Sequence, residues 1–310
     1  MPVTPGAILL RLREKLGWGL RVAYYRDIVR PGILQTNPIA DLVDGTCEIH
    51  VMTSQRDVLN AVWALKSFYW MSQRRYRLCI HDDGSLALEH RQMLKQQFPD
   101  SRVIDRIEAD QRLFQELKHF PKCLEFRRSN LLAPKLFDFV SYLETDRMLL
   151  FDSDLLFFHE PVNLLQRIED NAYGKNAFNA DCGFAYTVNP DTIESQCGHT
   201  LHPRINSGLG LVQRSSIRFD WVEEFLGIPE ILDGHFWRIE QTLFALCSSR
   251  FGVDLLPTEY TLDLQPGIRG RPFRHYVGAI RHLMYSEGIR ELVKQDVFSY
   301  DRARQATPAM

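Results

Sequence analysis

From Cys47 onward, short apolar runs alternate with stretches of helical period. "CEIHVMT" reads as a buried strand, and Val58, Ala61, Val62, Leu65 and Tyr69 then recur at the spacing of one helix face through Met71. A second unit repeats the pattern: "YRLCIHDDGS" is strand then turn, residues 86–98 are helical in period, and "SRVIDRI" is a short third strand. Residues 108–143 are mostly helical, with breaks near Pro121 and Pro134, and they lead into the strand "RMLLF". Such alternation predicts an α/β fold with a mainly parallel central sheet covered by helices on both faces. Downstream the pattern is less regular, with strands predicted at "GFAYTV", "GLGLVQ", "VDLLPT" and "VGAIRHL" and helices at 217–227 and 236–250.

Ahead of the first strand, "GAILLRLREKLGWGLRVAYYRDIVRPGILQT" sets Arg11, Arg13, Lys15, Arg21, Arg26 and Arg30 against only Glu14 and Asp27 among large apolar residues. A basic amphipathic helix making peripheral contact with an anionic membrane surface is one reading, and an ordinary helix packed on the main domain is the other. Pro31, Gly32, Asn37 and Pro38 punctuate its exit, which divides the chain into an N-terminal helical segment, 1–45, and one domain, 46–310.

Composition narrows the function classes. The chain has 310 residues, 45% hydrophobic and 25% charged, enough to bury a large core, and a formal charge of -2 that gives nucleic acid no electrostatic footing. Any anionic ligand must therefore be held by a local site. Cys47, Cys79, Cys123, Cys182, Cys197 and Cys247 are dispersed, without C-x-x-C spacing, which fits reduced thiols and a cytoplasmic location. No run approaches the roughly 20 apolar residues of a membrane-spanning helix.

The stretch "DRMLLFDSDLLFFHEP" sets Asp152 and Asp154 one residue apart between apolar runs. Inside a strand both carboxylates would point to one side and share a large desolvation cost. If the strand ends near Phe151, a turn instead presents them in a cleft, to solvent or to a hard divalent cation such as magnesium or manganese. In sheets of this class ligands bind outside the carboxyl ends of the strands, where Thr53, Ser54, Asp83, Asp152 and Ser153 all fall.

Taken in order, these motifs resemble a nucleotide-sugar-dependent glycosyltransferase of the GT-A fold, most of all the family 8 group of retaining enzymes. The resemblance spans roughly residues 47–285. "LLFDSDLLF" is similar to the family's strand and D-x-D, in which the acids hold the metal and contact the donor nucleotide. "APKLFDFVSYL" precedes it with Lys135 where a basic residue often approaches the donor. "INSGLGLVQ" resembles the strand lining the sugar pocket through Asn206, Ser207 and Gly208. "FWRIEQTLFALCSSRFG" resembles the Asp-Gln helix, with Glu240 in place of the usual Asp and Gln241 beside it. "AIRHLMYSEG" stands where the family carries a C-terminal His, so His282 is the implied third metal ligand with Asp152 and Asp154, although the Gly and Lys that usually come after it are missing.

The resemblance implies a hexosyltransferase-type enzyme (EC 2.4) that moves a sugar from a nucleotide-diphosphate donor, UDP by analogy, onto a glycan, lipid or protein acceptor with retention. Manganese or magnesium would stabilise the departing diphosphate, and Gln241 or Glu240 would lie below the anomeric carbon. An amide, a hydroxyl and a glycine at 206–208 suit a sugar's hydroxyls and a close backbone approach. Plainer readings exist for these residues: Lys135 as a solvated helix residue, Asn206 as a turn cap, Gly208 as a bulge, Asp83 as an Asx turn, His282 as an ordinary core or surface histidine. Two rival functions stand beside the transferase. A haloacid-dehalogenase-type phosphotransferase would use the D-x-D aspartate as nucleophile, but its motif belongs on the first strand, and a non-catalytic nucleotide-sugar-binding module would share the fold without turnover.

Overall fold

The computed structural model describes residues 16–198 and 200–297. Nine strands form among the described residues, in chain order: β1 (Asp44–Thr53), β2 (Tyr76–Asp82), β3 (Arg102–Ile104), β4 (Arg147–Phe151), β5 (Leu155–Phe157), β6 (Asn176–Ala180), β7 (Ile205–Gln213), β8 (Val253–Leu255) and β9 (Phe273–His275). A seven-stranded sheet has the order β3-β2-β1-β4-β7-β6-β8, and β5 and β9 form a separate antiparallel pair. Within the large sheet β3, β2, β1 and β4 run parallel, β7 runs antiparallel to both neighbours, and β6 and β8 are parallel. Helices cover both faces and split the apolar interior into two cores, one beneath Trp63, Phe68 and Phe157, the other beneath Phe137, Phe139 and Phe244.

The first half follows the predicted alternation. Helix Val58–Ser72 leads from β1 to β2, helix Leu88–Gln97 from β2 to β3, and helices Arg106–Glu116, Pro121–Ser129 and Ala133–Tyr142 return the chain to β4 on the far side of β1. Chain order therefore reverses between β1 and β4, and a crevice opens at their carboxyl ends. Thr53 and Ser54 stand at one lip and Asp152 to Asp154 at the other.

The second half departs from the expected pattern in three places. "GFAYTV" is not a strand: Tyr186 and Val188 are buried, but Tyr186 OH donates to His202 O (2.8 Å) and accepts from Ile205 N (2.6 Å), while Thr187 N donates to Thr242 Oγ1 (3.0 Å). The chain there is apolar inside but is tied down by side chains rather than by a ladder. "VGAIRHL" is a short 3-10 turn, Gly278–Ile280, followed by a helical turn, Arg281–Leu283, and the strand is β9 just upstream. Finally β6, "NAFNA", lacks the β-branched signature of a core strand because Asn176 is a satisfied polar hub. Its amide donates to Ser216 Oγ and Ser248 Oγ (both 2.9 Å) and accepts from Gln213 N (2.8 Å).

Of the N-terminal segment, residues 1–15 lie outside the described residues. Its described part is helical over Leu20–Tyr24, continues as a π turn, Tyr25–Val29, and ends as a 3-10 stretch, Arg30–Gln35. It packs on helix Val58–Ser72: Val22 and Ile33 are buried, Trp63 Nε1 donates to Arg30 O (2.9 Å), and Arg30 donates to Asn60 Oδ1 (2.9 Å). No helix among the described residues is long and apolar enough to cross a membrane.

Candidate active site

β4 ends where the sequence requires. Asp152 N donates to Gly208 O (2.9 Å), extending the β4–β7 ladder by one bond, and the chain then turns into β5 with Asp152 and Asp154 facing the crevice. Asp154 is buried and Asp152 half-buried.

Two separate sets of partners hold the pair. Lys135, on helix Ala133–Tyr142, reaches under the sheet end with Nζ 2.8 Å from Asp152 Oδ1 and 3.1 Å from Glu240 Oε1, and donates to Ser207 O (3.1 Å). Burial works against the Lys135 ammonium, but the Asp152 and Glu240 carboxylates outweigh it and hold the pKa above the usual lysine range. Glu240 also accepts from Ser207 Oγ (2.9 Å), and its burial pushes the carboxyl up to about 7 against the pull of Lys135. Arg281 donates to Asp154 Oδ2 (2.7 Å) and grips Asp57, at the start of helix Val58–Ser72, with both contacts at 3.2 Å. Burial alone would raise the Asp154 pKa, yet His275 and Arg281 hold it well below the usual carboxylate range.

His282 is the expectation that the structure corrects. It sits after Arg281 in a helical turn, and its ring stacks on Trp18 with centroids 4.0 Å apart. The imidazole that meets the carboxylates is His275, with Nε2 3.1 Å from Asp154 Oδ1 and 3.7 Å from Asp152 Oδ2. Strand pairing explains the exchange: β9 runs antiparallel to β5 with His275 opposite Leu155, and Tyr276 N closes the pair on Asp154 O (2.9 Å). The chain carries two Arg-His pairs here, 274–275 and 281–282, and the site takes the histidine of the first and the arginine of the second.

The neighbouring amides fix the His275 tautomer. Asn206 Nδ2 donates to Asp181 Oδ2 (2.9 Å) and Asn206 Oδ1 accepts from Gly208 N (3.0 Å), so Oδ1 is also the atom 3.1 Å from His275 Nδ1. Nδ1 therefore carries a proton, and Nε2 is the atom that faces the two carboxylates. Without a cation there, Nε2 must also be protonated, and Asp154 accordingly lifts the His275 pKa although burial opposes it. A divalent cation can take that proton's place: one His275 nitrogen and one carboxylate oxygen each from Asp152 and Asp154 lie within 4.8 Å of one another, two hard donors and an imidazole, suited to manganese or magnesium.

The remaining expected residues divide. Ser207 N donates to Gln241 Oε1 (3.3 Å), and Gln241 Nε2 donates to Asp181 Oδ2 and Ala185 O (both 3.3 Å), so 206–208, Glu240 and Gln241 form one buried wall beside the D-x-D. Gly208 is required there, because a Cβ would stand 2.2 Å from His275 Cε1. At the other lip Thr53 Oγ1 is buried without a hydrogen-bond partner, whereas Ser54 Oγ accepts from Asp57 N (3.1 Å) as a turn. Asp83 accepts from Ser85 N (2.9 Å) and Oγ (2.6 Å), which is the Asx-turn reading, and Ser153 is half-buried between the two acids. Sequence reasoning missed His275, Asp181, Arg281 and Asp57. The near-identical Arg-His pairs were the available signal for the first and third.

By sequence the chain matches no family profile and no curated protein. Among solved structures it is similar to mouse xyloside xylosyltransferase 1 in its apo form, at 12% identity over 78% of this chain and 99% of that one, with a TM-score of 0.51. It is likewise similar to the galactosyltransferase LgtC in complex with donor and acceptor sugar analogs, at 14% identity over 78% of this chain and 95% of that one, with a TM-score of 0.50. The fold is thus that of the GT-A glycosyltransferases.

Proposed function

We propose that this chain is a metal-dependent glycosyltransferase of the family 8 type that transfers a sugar from a nucleoside-diphosphate donor, UDP in the first instance, with retention of configuration. The observation that carries the proposal is the meeting of Asp152, Asp154 and His275 at the switch point of a GT-A sheet. When bound, a divalent ion there supplies positive charge to the diphosphate as it departs. Asp152 and Asp154 hold that ion, and His275 contributes a neutral nitrogen without adding a third negative charge. Thr53 offers an unpaired hydroxyl to the nucleoside side of the crevice. Lys135 keeps Asp152 and Glu240 oriented, while Glu240 and Gln241 face the sugar, held in place by Ser207 and Asp181. The phosphotransferase alternative is disfavoured because three parallel strands precede the D-x-D.

A panel of nucleotide sugars assayed for manganese-dependent donor hydrolysis tests this reading. Asp154→Asn is expected to keep the fold and lose at least about tenfold in activity, since an anionic ligand is removed where charge develops. Full activity of that variant in the presence of a chelator refutes it.

A further inference from the structure

A second group of metal-ligating side chains lies outside the crevice. His50 on β1 and Cys79 and His81 on β2 project from one face of the sheet, and all three are buried. His50 Nδ1 is 3.0 Å from His81 Nε2, and Cys79 Sγ is 3.4 Å from the same nitrogen. Phe139 and Tyr142, from helix Ala133–Tyr142, close over the rings, with the Phe139 centroid 4.6 Å from that of His81. On the outer side of His50, Nε2 lies 3.3 Å from Glu48 Oε2, and Glu48 is itself fixed by Arg102 and by Glu144 N (2.9 Å).

Protons alone do not satisfy this group. Suppose His50 gives its one proton to Glu48. Its Nδ1 then accepts from His81 Nε2–H, the Cys79 S–H finds no acceptor on that nitrogen, and the buried His81 Nδ1 is left bare, with no donor within reach. Suppose instead that His50 holds its proton on Nδ1. Cys79 and His50 then compete to donate to His81 Nε2, and the His50 Nε2 lone pair faces a carboxylate. One cation among Nδ1, Nε2 and Sγ ends the competition for His81 Nε2: all three present lone pairs to it, and His50 Nε2–H points at Glu48, the usual carboxylate support behind a metal-bound imidazole, while His81 Nδ1 stays without a partner in every arrangement.

We propose that His50, Cys79 and His81 form a structural site for a borderline-soft metal ion of the zinc(II) or copper(I) class. Two imidazoles and a thiolate select such an ion over the hard cation suited to the D-x-D crevice. Charge is compatible with the assignment, because the Cys79 thiolate neutralises copper(I) and, with the Glu48 carboxylate shared between His50 and Arg102, offsets zinc(II). The site ties β1 to β2 beneath the strand ends that carry Thr53 and Asp83, and it stands independently of the transferase reading.

Elemental analysis of the full chain, purified without added metal and passed through a chelator, is the direct test. The expected result is about one equivalent of zinc or copper per chain, retained in Asp154→Asn and lost in Cys79→Ser. Refolding with cobalt(II) gives a second, spectroscopic readout: a thiolate-to-cobalt charge-transfer band is expected in the wild-type chain and absent from refolded Cys79→Ser. Protein that carries no zinc or copper as purified, and shows no such band after refolding with cobalt, overturns the proposal. Metal lost in Asp154→Asn but kept in Cys79→Ser also overturns it, since the ion would then belong to the crevice.

Discussion

Replacing Glu240 by glutamine is expected to stabilise the free protein at alkaline pH and to leave it unchanged in acid. The carboxyl is 1% exposed in helix Phe236–Phe251. Burial lifts its pKa from 4.5 to about 7, Lys135 opposing the rise and Asp152 adding to it. That displacement, roughly 2.5 pH units at about 1.36 kcal/mol each, corresponds to about 3 kcal/mol. The sign follows from proton binding. Below pH 4.5 the group is protonated in both folded and unfolded chains and resembles the amide. As pH rises toward 7 the folded chain keeps a proton that the unfolded chain has released, so stability falls, and above 7 the whole difference is expressed. The amide keeps the shape and still accepts from Ser207 Oγ, while Lys135 retains Asp152 as its counter-ion. Urea unfolding of wild type and Glu240→Gln in chelator, without donor, at about pH 5 and about pH 8.5 measures it directly. The curves should differ by under about 1 kcal/mol at the lower pH, where part of the difference is already expressed, and separate by up to about 3 kcal/mol at the higher. Equal separations at both pH values would refute a buried, ionising Glu240, and wild type proving the more stable at alkaline pH would show that Lys135 more than repays its desolvation.

Three further outcomes probe the wall and the ligands. His275→Ala is expected to raise the manganese needed for half-maximal donor hydrolysis by about tenfold or more, while His282→Ala leaves it unchanged, and the reverse ranking in a metal titration would return the ligand to the helical turn. Gly208→Ala brings a methyl to 2.2 Å from the His275 ring, so it should cost about 1–3 kcal/mol in thermal unfolding and weaken the metal response together. Asp181→Asn sets an amide against the donating amides of Asn206 and Gln241. It should lower kcat more than it raises the donor KM, by about tenfold, and steady-state kinetics separates the two.

The sequence made the parallel half legible because each strand there is a short apolar run closed by a turn, and each helix shows a periodic face. The end of β4 was readable for a physical reason, since two carboxylates one residue apart cannot stay inside a sheet. What escaped was set by pairing rather than by composition. β6 opens on a polar Asn176 that only the Ser216 and Ser248 hydroxyls and the Gln213 backbone amide justify. "GFAYTV" has strand composition, but Thr187 N is satisfied by the Thr242 hydroxyl and Ala185 O by the Gln241 amide. His275 and His282 each follow an arginine and stand between apolar neighbours, and it is the β5–β9 register that tells them apart. Lys135 was open to a solvated reading until two carboxylates appeared on its ammonium.

The β5–β9 ribbon has a consequence for biosynthesis. Each strand of the ribbon is three residues long, and the ribbon stands outside the seven-stranded sheet, so His275 and Arg281 arrive at the acids from a distant part of the chain. A nascent polypeptide still lacking that stretch on the ribosome has the strands of the main sheet but neither of these partners for Asp154. On the proposed function, cation capture would thus be a late event in synthesis, coming after the bulk of the sheet has been made. In the finished protein, fraying of so short a ribbon parts His275 from Asp154 at a lower free energy than global unfolding, which makes hydrogen exchange at Tyr276 N a sensitive gauge of the assembled crevice.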